Sequence, residues 1–139
     1  MGESKRFPFV LYGSKAMPRP LVYCRFPSGS VFPCLVDSGA SSSFIDEKML
    51  VVQEKKRARP NSPFYEAVGI CGRECFEIHG ETEAIEIKVE GLSEKVKLVF
   101  QIVGQRHNLE QPVLGLNFFD FFKVSFVKEK EQYYTVLEC

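Results

Sequence analysis

The amino-acid sequence predicts an all-β domain, a closed or nearly closed barrel with one or two short helices. Three observations carry that reading. Apolar and polar residues alternate with period two in Ala84–Glu90 and again in Lys95–Val103, as in strands with one buried face. Short extended runs are separated by turn residues, as in Pro27-Ser28-Gly29-Ser30, Gly91-Leu92-Ser93 and the polar stretch Lys128–Gln132. No apolar pattern of helical spacing runs far enough for a long helix. A chain of 139 residues is one domain, residues 1–139, with room for a real core but not for two lobes.

The elements follow in order. Phe7–Tyr12 is extended and leads through a Pro-containing link, Lys15–Pro20, into the strand Leu21–Phe26. Val31–Val36 returns as the second arm of a hairpin. Ser41, Ser42 and Ser43 read as a polar loop, and Ile45–Leu50 as one helical turn with Asp46 near its N-terminus. Gln53–Pro60, with Lys55, Lys56, Arg57 and Arg59, is a solvated charged loop rather than a nucleic-acid patch. Phe64–Ile70 and Glu74–Ile78 form a hairpin joined through Cys71-Gly72-Arg73, with Gly69 and Gly72 near its tip. Pro112–Phe122 is a dense apolar run broken by Gly115, and Lys123–Val127 with Tyr133–Leu137 make the last hairpin. Arg6–Leu11 and Tyr133–Leu137 would be open edges on a lone barrel, so they are expected to interleave with the termini of a second copy.

Composition narrows the function classes. An apolar fraction of 45% with thirteen Phe argues for an ordered core. Zero formal net charge supplies no field for nucleic acid or membranes, and no aromatic-plus-basic strand face marks a nucleic-acid-binding barrel. No run approaches the roughly 20 apolar residues of a membrane span, and the N-terminus lacks a signal-peptide core. Five irregularly spaced Cys then fit reduced thiols in an intracellular, cytoplasmic protein. Cys71, Cys75 and His79 share one strand face through their spacing of four alone, so neither a metal nor another cofactor is expected. Cys71 and Cys75 are expected to oppose each other across the hairpin turn, where oxidation could bridge them.

The stretch Cys34-Leu-Val-Asp-Ser-Gly-Ala-Ser-Ser-Ser-Phe-Ile-Asp46 bears most directly on function. Asp-Ser-Gly is a common exit from a strand, because Asp bonds its own backbone and Gly accepts unusual φ. Here it follows an apolar run, and a second apolar-apolar-Gly signature, Val113-Leu114-Gly115, lies downstream of the Gly-bearing hairpin. In that order these features resemble the retropepsin-like aspartic proteases of retroviruses, LTR retrotransposons and their cellular relatives, over roughly residues 21–127.

The resemblance implies a retropepsin-like closed barrel whose active site forms at a two-fold dimer interface. It makes Asp37 catalytic, with Ser38, Gly39 and Ala40 supporting the loop. It makes Gly69, Ile70, Cys71 and Gly72 a flap over the cleft, and Ala40, Ile70 and Val113 contacts for substrate side chains. Val113-Leu114-Gly115 would support the loop, and Asn117–Phe122 would be the short helix after it. Ser41 and Leu116 stand where the lentiviral branch carries a linked charged pair, so another contact must brace the dimer at this point.

The chemistry fits one carboxylate per chain. Aspartic proteolysis needs two carboxylates sharing a proton, one acting as general base on water while the other hydrogen-bonds the scissile carbonyl. The chain has three Asp, of which Asp46 sits at a helix start and Asp120 in an amphipathic turn, so only Asp37 is available. The expected protein is therefore a homodimeric aspartic endopeptidase, with water activated between two Asp37 carboxylates. Its substrate would be an extended peptide within a polyprotein or cellular protein, cut in the cytoplasm or in a virus-like particle, with no nucleic acid or membrane as partner. The alternative is a catalytically silent dimerisation or peptide-binding module of the same fold.

Overall fold

The computed structural model describes residues 2–11, 17–50, 64–69, 72–104 and 109–139, and for 64–69 and 72–77 the backbone. The chain is mostly β, as the alternation predicts; among the described residues nine strands form a curled half-barrel sheet and three a second sheet. The large sheet contains β2 (Leu21–Arg25), β3 (Val31–Val36), β4 (Ser43–Asp46), β5 (Phe64–Gly69), β6 (Gly72–Glu81), β7 (Ile85–Val89), β8 (Lys95–Leu98), β9 (Phe100–Val103) and β10 (Val113–Leu114). Its order is β5-β6-β9-β4-β10-β3-β2-β7-β8. A closed barrel is expected from the sequence; among the described residues the sheet curls but leaves β5 and β8 as its two edges.

The small sheet has the order β1-β12-β11, from β1 (Ser4–Pro8), β11 (Lys123–Glu129) and β12 (Gln132–Glu138). This corrects the expectation of an open edge for the C-terminal strand, while β1 remains an edge. Within one chain β1 lies antiparallel to β12, with Phe7 opposite Thr135. β12 is thus flanked on both sides, and only β1 and β11 keep a free edge.

Among the described residues there are two helical pieces: a 3-10 turn, Glu47–Met49, capped by Asp46, and a one-turn helix α1, Leu116–Phe119. The main core packs Phe26, Phe100, Phe118 and Phe122 among aliphatic residues of β2, β3, β7 and β8. Phe26 meets Phe32 edge-on at 5.4 Å and Phe100 at 5.8 Å. Each fully buried Phe contributes about 1.5–3 kcal/mol. Much of the chain's Phe content is therefore structural. Gly29 and Gly91 take positive φ in the two hairpin turns, where a side chain would strain the backbone.

The N-terminal strand is also tied to the β7–β8 turn. The Glu3 carboxylate accepts hydrogen bonds from the Ser93 hydroxyl (2.6 Å) and backbone N–H (2.9 Å), which hold its pKa below the ordinary carboxylate value. A lowered folded pKa means the contribution is present above the unfolded value and is lost as pH falls through the folded one. The Ser93 amide resonance should therefore titrate with a midpoint below that of a free glutamate, and Glu3→Gln should abolish the titration. A midpoint at the free value would show that this contact does not form in solution.

Candidate functional site

The site is built where three strands meet. β3 and β4 are joined directly by residues 37–42 yet do not pair with each other. β10 runs between them, parallel to β3 (Val113 opposite Leu35, Leu114 opposite Val36) and antiparallel to β4 (Val113 opposite Phe44). The connecting loop must arch over the end of β10. Asp37 N–H donates to Leu114 C=O (3.0 Å), Ala40 N–H to Asp37 C=O (3.2 Å), and Leu116 N–H to Ala40 C=O (2.9 Å). The last bond ties the loop to the residue after Gly115 within one chain.

Gly115 passes beneath the arch. A Cβ there would lie 2.1 Å from the Ser42 carbonyl oxygen and 2.7 Å from that of Ala40, so no other residue fits without moving backbone. Its buried N–H is satisfied by Ser43 Oγ at 3.0 Å. The Ser43 hydroxyl in turn donates to Asn117 Oδ1, and Asn117 Nδ2 donates to Val99 C=O at 3.0 Å. This corrects the reading of Ser43 as part of a polar loop: it is fully buried in β4. It is polar because the glycine N–H below it needs an acceptor. Ser41 is exposed and Ser42 half-buried.

Asp37 is half-buried at the arch, with Ser38 and Gly39 exposed beside it. Its Oδ1 accepts from Gly39 N–H at 2.9 Å, and a Cβ on Gly39 would crowd that oxygen at 3.3 Å. Oδ2 makes no hydrogen bond among the described residues. One carboxylate oxygen is thus fixed by the loop, while the other remains available for chemistry.

The surroundings on one side are apolar. Phe44, Ile78, Val103 and Val113 form a second buried cluster, against which Leu35, Ala40 and Leu109 pack part-exposed. Ala40 and Val113, the two expected substrate contacts that lie among the described residues, both belong to this packing, Val113 inside the cluster and Ala40 against it. Val113 is buried, so Leu35, Ala40 and Leu109 are what this cluster offers to the surface.

Two other groups can be placed. Asp46 is wholly buried in β4 and bonded to backbone N–H groups, and Asp120 is exposed at the C-terminus of α1. Cys34, three residues before Asp37, is fully buried beside Cys24, and burial pushes its thiol well above the usual range. It stays a protonated core residue rather than a nucleophile.

β5 and β6 form the expected hairpin, with a shorter turn than the sequence suggests. Gly69 pairs with Gly72, so Gly72 and Arg73 belong to the strand. Ile70 and Cys71, the expected flap tip, lie outside the described residues, as does the Gln53–Pro60 loop. The register also corrects the cysteine geometry: Cys75 stands opposite Glu66, on the same arm as Gly72. At the hairpin's base a register shift falls between Ile78 and Gly80, and Gly80 has φ of 142°. His79, between them, places Nδ1 3.1 Å from Glu47 Oε2.

A concavity of about 440 Å3 lies elsewhere, lined by Phe119–Lys123, Glu138 and Cys139. Its charged groups include the exposed ion pair of Lys123 and Glu138 at 3.9 Å, and Asp37 is not among its lining residues. Among the described residues no cluster of three or more His, Cys, Asp or Glu could hold a metal, and no helix is long and apolar enough to cross a membrane. No protein-family model matches the chain, and no curated protein matches it significantly.

Ser43→Ala should lower stability by about 1–3 kcal/mol, the range for orphaning a buried donor. Gly115→Ala should cost about 3 kcal/mol or more, because backbone rather than a side-chain tip must yield. Urea denaturation measures both, and a loss below about 0.5 kcal/mol for either would contradict the packing described at the arch.

Proposed function

We propose that the protein is a homodimeric aspartic endopeptidase of the retropepsin type, hydrolysing extended peptides with water activated between two Asp37 carboxylates, one per chain. The observation that carries this reading is the arch itself. A carboxylate with one oxygen anchored by Gly39 N–H and the other unbonded among the described residues stands at the edge of an apolar cluster. The loop carrying it is held from below by Leu114 and Gly115.

The chemistry demands a second acid. Asp46 is engaged in the interior and Asp120 caps a helix, so the partner carboxylate is the Asp37 of another chain. One carboxylate would take the proton of a bound water as it attacks the scissile carbonyl, while the protonated one donates to the carbonyl oxygen. Ser38, exposed beside Asp37, would bond the partner's loop.

The small sheet supports a docking role for a second copy. Phe126 and Tyr133 are 44% and 47% exposed, and Phe9 contacts both rings at 6.1 and 5.5 Å. This aromatic cluster extends the face on which Val124 and Leu137 enter the core, as if it ran on past the body of one chain. The hairpin β5–β6 is the element to close over a bound peptide.

A silent peptide-binding module is the second reading. What favours it is the Gly39 N–H to Asp37 Oδ1 bond, which gives Asp37 a structural use without catalysis.

Asp37→Asn keeps the side-chain shape but leaves no carboxylate to act as base or carry the shared proton. It should abolish cleavage of a broad peptide library while leaving the fold and dimer intact. The wild-type rate should follow a bell-shaped pH curve, because activity needs a pair holding one proton. An Asp37→Asn protein that still cuts would remove the protease reading, and a well-formed wild-type dimer inert at every pH tested would favour the binding module.

A further inference from the structure

Asp46 is a buried carboxylate that the proposed chemistry does not use. It is 0% exposed at the end of β4, a costly place for a charge unless it is well bonded. Its Oδ1 accepts from Lys48 N–H at 3.0 Å, its Oδ2 accepts from Leu109 N–H at 3.1 Å, and Lys48 Nζ lies 3.9 Å from Oδ2. The first bond is local and caps the 3-10 turn. The second reaches 63 residues along the chain to the segment that leads into β10.

That segment carries part of the apolar surface beside Asp37. Leu109 packs with Leu35 and Ala40 on the second cluster, and both of those residues lie within three positions of Asp37. Two backbone anchors fix it. Pro112 C=O accepts from Leu35 N–H at 2.8 Å at one end, and Asp46 takes the Leu109 N–H at the other. Gln111, between them, is buried, but its Oε1 has no hydrogen-bond partner among the described residues, so it adds no acceptor bond of its own.

We infer that Asp46 is a positioning residue for Leu109 in the apolar wall beside Asp37, and that through Leu109 the carboxylate sets which apolar side chain a bound peptide can place there. The inference rests on the peptide-cleft reading of the site. It gives a reason for a charge to be kept in the core: a carboxylate offers two acceptor oxygens to two backbone donors, and the amide of Asn offers one. Asp46 does not touch the peptide; it acts through Leu109.

The test uses the full-length chain in an Asp37→Asn background, so that binding is read without cleavage. A library of extended octapeptides is first enriched on this protein. One retained sequence is then varied at its best-determined apolar position through Ala, Val, Leu and Phe, and affinities are compared with and without Asp46→Asn. Exchange of the Leu109 amide is followed in the same samples.

The expected result is faster Leu109 exchange together with a change of about fivefold or more in the large-to-small affinity ratio, since a methylene's worth of fit in an apolar pocket is worth at least about tenfold. The cooperative melt should persist. Faster exchange with an unchanged ratio, or an equal loss for all four side chains, would reduce Asp46 to a structural role and overturn the inference while leaving the cleft reading intact. Unchanged Leu109 exchange would overturn it directly. If Asp46→Asn does not fold, Asp46→Glu takes its place; it keeps both acceptors on an arm one methylene longer, and the same shift in ratio is required of it. Retention of no peptide by the parent protein would instead remove the cleft reading, and this inference with it.

Discussion

A single close approach governs the arrangement: the chain at residue 115 passes under the Ala40 and Ser42 carbonyls at a distance only glycine permits. Without that crossing β10 could not fill the gap between β3 and β4, and the loop bearing Asp37 would lose its floor. The crossing buries a backbone N–H, so an acceptor must be supplied from β4. Ser43 supplies it, and Asn117 and Val99 complete the chain of bonds. The rigidity of the arch thus comes from backbone sterics and satisfied polar groups rather than from charge pairing.

On the proposed reading this division of labour suits the chemistry. A carboxylate that must exchange a proton with its partner is best fixed by neutral donors, which set its position without neutralising it. Asp37 is held by its own loop's N–H, and the nearby cluster of Leu35, Ala40 and Leu109 lowers the local polarity. Asp46 shows the opposite use of the same side chain. Buried and bonded to one local and one distant backbone donor, it organises the fold instead of meeting the surface.

Much of the fold was legible because period-two alternation is a local signal. β7 and the hairpin of β2 and β3 fall close to where their residues predict, as do the positive-φ glycines in their turns. The Asp37 loop was legible from its residues and from Val113-Leu114-Gly115 downstream. The remainder depended on contacts distant in sequence. Ser43 reads as solvated until Gly115, 72 residues away, is known to need its oxygen. Asp46 announces a helix cap, but nothing local announces its bond to Leu109. The pairing of β1 with β12 joins the chain's two ends and competes with the interchain pairing that strand-like termini equally suggest. Cys75 was misplaced because the turn, expected after Ile70, falls between Gly69 and Gly72, and strand register follows the turn.

The central claim is that one working site needs an Asp37 from each of two chains. Refolding wild-type chains together with Asp37→Asn chains at graded ratios, under conditions that scramble dimers fully, tests it directly. If both carboxylates are required, peptide-cleaving activity should fall as the square of the wild-type fraction. Activity falling in simple proportion to that fraction would mean each chain works alone and would contradict the shared site.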